Sequence, residues 1–143
     1  MKTLSAILLI IATGPAWSQS DFAAQAAKEP GAVVSKSGLV YRSIREGAGA
    51  SPAVTDIVRV HYTGTLPEGK EFDSSYRRGE PAEFPLDRVI KCWTEGVQRM
   101  KVGGKAKITC PPSLAYGAEG AGNTIPPNAT LQFEIELLAT SRP

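Results

Sequence analysis

Covalent catalysis needs a serine or cysteine with a base in reach, and the chain offers one histidine as that base, His61. His61 lies within Val58-Arg59-Val60-His61-Tyr62-Thr63, on the face opposite Val60 and Tyr62. That placement reads as a structural histidine on a strand. There is no G-x-S-x-G elbow, no P-loop and no G-x-G-x-x-G turn opening a helix. Two cysteines and a lone histidine make no zinc set, so neither a metal nor a cofactor is expected. What remains is a group of large apolar residues at element ends: Tyr62, Phe72, Phe84, Ile90, Trp93, Tyr116, Ile125 and Phe133. Such a group forms a core, an apolar binding cleft, or both. Trp93, Phe72 and Phe133 fit a core by pattern. Tyr116 and Ile125 stand in the Gly- and Pro-bearing loop 114–128, where no periodicity calls for them, and loops carry function disproportionately.

The elements that must position these residues follow from patterning. Ile90, Trp93, Val97 and Met100 recur at i, i+3, i+7 and i+10, one face of an amphipathic helix, with Gly103-Gly104 as its exit. Trp93 carries the largest apolar area on that stripe and is expected both at the centre of the core and at the floor of a pocket. Most of the rest reads as strands: 38–44, 54–63, 71–75, a short extended run 82–86, 105–110 and 129–138. The last alternates most clearly, with Leu131, Phe133, Ile135 and Leu137 inward and Gln132, Glu134 and Glu136 outward. A lone helix must bury its stripe against the sheet. The expected fold is therefore α+β: about five antiparallel strands, bent around one short helix.

Residues 1–18 read as a secretory signal peptide: Lys2, the apolar run 4–12, Gly14-Pro15, then the small-x-small site Ala16-Trp17-Ser18. The run is shorter than the roughly 20 residues a bilayer span needs. Export to the periplasm or the medium is expected. Residues 19–36 read as an arm or linker with a short alanine-rich helix, too short to hold a dimer seam, so a monomer is expected. Residues 37–140 form the folded domain. The full chain has 143 residues and a net charge of +2, which gives no electrostatic case for nucleic acid. In an oxidising compartment Cys92 and Cys110 tend to pair. A bridge would close a loop of about 19 residues, worth about 3 kcal/mol; the alternative is two buried free thiols. Asn128-Ala129-Thr130 fits a glycosylation sequon.

Six runs together are specific to a known family. They are Val60-His61-Tyr62-Thr63-Gly64, Gly69-Lys70-Glu71-Phe72-Asp73-Ser74-Ser75, Val89-Ile90 with Trp93 and Glu95-Gly96, Met100 with Val102-Gly103, Ala115-Tyr116-Gly117, and Ile125-Pro126-Pro127-Asn128-Ala129-Thr130-Leu131. From Gly38 to Leu138 the chain resembles the FKBP-type peptidyl-prolyl isomerases, which bind rapamycin-like macrolides. Residues 76–86 resemble the bacterial envelope branch, which includes macrophage-infectivity-potentiator-like proteins. Cys92 stands where many members have glycine.

The resemblance implies a cleft floored by Trp93 and walled by Tyr62, Phe72, Phe84, Val89, Ile90 and Phe133, with Ala115, Tyr116 and Ile125 as its lip. It places Asp73 and Tyr116 nearest the substrate imide, Arg78 pairing towards Asp73, and the Ile90 N–H on a substrate carbonyl. It implies isomerisation of X-Pro bonds in prolyl polypeptides, assisting the folding of exported proteins without a covalent intermediate. The rival expectations are a chaperone or partner-binding module with little useful turnover, and a sugar-binding β module.

Overall fold

The computed structural model describes residues 19–143; the signal-peptide reading of 1–18 lies outside them. Seven antiparallel strands form one sheet: β1 (Ala32–Val34), β2 (Val40–Arg45), β3 (Ile57–Thr65), β4 (Glu71–Ser74), β5 (Ala82–Pro85), β6 (Lys105–Cys110) and β7 (Leu131–Ser141). Their order is β1-β2-β6-β7-β3-β4, with β5 also pairing with β3. Patterning gave about five strands. β1 escapes it because three residues are too few to show a period, whereas β5 falls within the short extended run 82–86. Residues 19–36, read as an arm or linker with a short helix, hold helix α1 (Gln19–Ala27) and strand β1. Helix α1 buries Ala26, Glu29 pairs with Lys107 at 2.9 Å, and β1 extends the sheet edge through Val33–Tyr41.

Alternation decides which face of the sheet is inside. Val58, Val60 and Tyr62 from β3, Ala106, Ile108 and Cys110 from β6, and Leu131, Phe133, Ile135 and Leu137 from β7 are all buried. Across this face lies helix α3 (Lys91–Val97), with Cys92, Trp93, Gly96 and Val97 buried. The helix is shorter than its stripe. Ile90 is its N-cap and Met100 follows in turns closed by Arg99 N–H to Gly96 and Met100 N–H to Val97. Gly96 explains the close seat: a Cβ there would come within 3.2 Å of Ile108 Cγ2. Cys92 and Cys110 are joined by a disulfide with Cα atoms 5.7 Å apart, and both are fully buried. The bridge ties the first turn of α3, beside Trp93, to the end of β6. Among the described residues, no helix is long and apolar enough to cross a membrane.

Candidate active site

The chain leaves β4 at Ser74, runs through the one-turn helix α2 (Ser75–Arg78), and returns as β5 on the same edge of β3. A 3-10 turn (Leu86–Arg88) then leads into α3. This excursion opens a cleft of about 460 Å³ over the inner face of the sheet, within the range of small-ligand sites. It is lined by Tyr62, Phe72, Asp73, Phe84, Arg88, Val89, Ile90, Trp93, Tyr116 and Phe133. Its residues thus come from β3, β4, β5, β7, α3, the 3-10 turn and the loop before β7.

Trp93 is 4 % exposed. Three rings meet it edge-on: Tyr62 at 5.1 Å, Phe84 at 5.4 Å and Phe133 at 5.4 Å between centroids. Phe72 in turn stands edge-on to Phe133 at 5.6 Å. Edge-to-face packing places the positive rim of one ring against the negative face of the next. Gly64 allows it, because a Cβ there would lie 2.6 Å from Phe72 Cζ and 2.8 Å from Phe133 Cε1.

Tyr62, Asp73 and Arg78 form a polar corner of the cleft. The Tyr62 hydroxyl donates to Asp73 Oδ2 at 2.5 Å. Arg78 donates to Asp73 Oδ1 at 2.6 Å and to the Tyr62 hydroxyl at 2.9 Å. Burial raises the Tyr62 pKa, and the bond to Asp73 adds to the rise. Desolvation favours the neutral acid of Asp73, but the bonds from Tyr62 and Arg78 outweigh it and hold the carboxyl below its usual range. From behind, buried Ser75 accepts the Tyr62 backbone N–H at 2.8 Å and lies 2.8 Å from His61 Nδ1. His61 stacks on Tyr76, outside the cleft. On the opposite side, the Ile90 N–H donates to no backbone carbonyl among the described residues, while the Ile90 carbonyl accepts from Trp93 and Thr94.

Nine of the twelve expected site residues line this cleft, and three do not. Arg78 stands behind Asp73. Ala115 packs against the core. Ile125 is only 3 % exposed, turned inward where its backbone bridges to Ala121. Tyr116, by contrast, is 41 % exposed at the lip. Arg88 lines the cleft without having been expected there. It sits in a polar stretch with no period, and only its place two residues before Ile90 could have pointed to it.

Residues 49–138 match the family described as FKBP-type peptidyl-prolyl cis-trans isomerase. The chain belongs to this family. It is 55 % identical over 123 residues to an FKBP-type isomerase, FkpA, of Aeromonas hydrophila, covering 86 % of this chain and 46 % of that protein. To the 22 kDa FKBP-type isomerase of Escherichia coli it is 56 % identical over 112 residues, covering 78 % and 54 %. The crystal structure of FkpA from Escherichia coli superposes with a TM-score of 0.85 at 49 % identity, covering 87 % of this chain and 58 % of that one. The chain thus spans about half the length of the curated relatives it matches. The bent sheet around one short helix is the FKBP-like fold that the six runs imply.

Proposed function

We propose that the chain is a peptidyl-prolyl cis-trans isomerase acting on X-Pro bonds of exported polypeptides as they fold. The observation that carries the reading is the cleft floor: an indole ringed edge-on by three aromatic side chains, with the bonded Tyr62–Asp73–Arg78 group at one corner.

Rotation about an amide is resisted by resonance, a barrier of roughly 18–20 kcal/mol. Halfway round, the imide has lost resonance and part of its carbonyl charge, so the twisted state is less polar than the planar one. A dry aromatic cleft favours the less polar state. This is differential binding of the transition state, and each tenfold in rate needs about 1.4 kcal/mol. Trp93 seats the prolyl ring. The Ile90 N–H takes a substrate carbonyl, and Tyr116 at the lip holds the chain on the other side. Asp73 acts through the Tyr62 and Arg78 bonds that fix its position. No nucleophile is required.

Export draws support from the Cys92–Cys110 bridge, which suits an oxidising compartment. The cleft is complete within one chain, so a single copy suffices. Its apolar volume also suits a rapamycin-like macrolide as a competitor.

A prolyl peptide with an isomer-specific reporter tests the reading. The wild type accelerates the slow phase, and Trp93→Leu, with an unchanged circular dichroism spectrum, loses most of that acceleration. Equal acceleration by both proteins refutes the role given to the floor.

A further inference from the structure

Two charged residues line the cleft, Asp73 and Arg88. The charge of Asp73 is paired with Arg78, and its other oxygen accepts from Tyr62. Arg88 is exposed and has no ion pair or hydrogen-bond partner for its side chain among the described residues. Its sequence neighbour Asp87 does not compensate it. Asp87 lines the adjoining groove with Lys91, Thr94 and Glu95, while Val89 borders both hollows. The backbone beneath Arg88 is fixed, since Leu86 is fully buried, donates its N–H to Asp56 at 2.9 Å and accepts from Thr94 Oγ1 at 2.7 Å. Two residues further along the same wall is the free N–H of Ile90.

On the isomerase reading, we infer that Arg88 determines specificity: it selects prolyl segments that carry an acidic side chain next to the proline. A substrate carbonyl held at Ile90 brings the neighbouring substrate side chain alongside the guanidinium. An unpaired charge at the mouth of a low-dielectric cleft focuses its field on what enters. Exposed ion pairs are weak, so the preference is modest, about two- to fivefold in kcat/KM, and it is screened by salt.

The test measures kcat/KM for prolyl peptides with Glu, Leu or Lys before the proline, and again after it. Wild type, Arg88→Gln and Arg88→Glu are compared at low and high salt. At one of the two positions the wild type favours Glu over Lys at low salt. Arg88→Gln levels the ratio, Arg88→Glu reverses it, and high salt removes it. A Glu-to-Lys ratio that neither substitution moves, at either position, overturns the inference. If the wild type still turns over the Leu peptide in that case, the isomerase reading stands without it. If the wild type turns over no peptide, both fall.

Discussion

The Tyr62 hydroxyl and the Asp73 carboxylate are joined by a hydrogen bond of 2.5 Å, and Arg78 reaches both groups. The three satisfy one another inside the protein. An apolar prolyl ring can therefore enter beside them without orphaning a polar atom, which would cost about 1–3 kcal/mol.

The Asp73 pairing has a consequence in acid. Although desolvation opposes it, the bonds from Tyr62 and Arg78 keep the folded-state pKa below the usual value. A depressed carboxyl contributes stability above its unfolded pKa, near about 4, and loses it as pH falls through the folded value. Asp73→Asn should therefore flatten the acid limb of stability below about pH 4. Urea midpoints across a pH series check this; parallel acid limbs in the two proteins would contradict it.

Tyr116 separates catalysis from folding. It is 41 % exposed, so Tyr116→Ala should change stability by no more than about 0.5 kcal/mol. Its loss from the cleft lip should lower kcat/KM about tenfold, equivalent to about 1.4 kcal/mol of transition-state binding. Denaturation and peptide kinetics on one preparation test both halves. A variant as fast as the wild type removes Tyr116 from the mechanism.

The Cys92–Cys110 bridge should matter to stability. Converting both residues to alanine should cost about 3 kcal/mol. At this chain length that corresponds to a fall of about 10 °C in Tm. Thermal melts of the variant and the oxidised wild type measure it. An unshifted Tm would mean that the bridge does not constrain the unfolded chain.

Gly64 is the hinge of the aromatic packing. In Gly64→Ala the new methyl meets Phe72 and Phe133, both cleft residues, at under 3 Å. Overpacking of this kind costs about 1–3 kcal/mol, and the displaced rings should slow turnover as well. Full retention of both stability and rate would show that the rings do not meet there.

Much of this was legible because β3, β6 and β7 bury alternate residues, so Val58, Ile108 and Leu137 announce their face by period alone. Trp93 was legible for the same reason, as the bulkiest residue on a helical stripe. The ends of that stripe fall outside α3: Ile90 keeps the spacing as the N-cap, its carbonyl taking the N–H groups of Trp93 and Thr94, and Met100 keeps it in a tighter turn closed onto Val97. Ile125, expected at the lip and found buried, is a different case. A loop residue has no period to give its direction, and only its burial in the core shows that it turns inward. The same lack of period hid Arg88.

The most direct test of the account is the exchange rate between cis and trans resonances of a prolyl peptide, followed by NMR with substoichiometric protein. The rate should rise in proportion to the protein added and return to its spontaneous value when rapamycin fills the cleft. Exchange that stays on the uncatalysed scale of tens to hundreds of seconds at every protein concentration would contradict it.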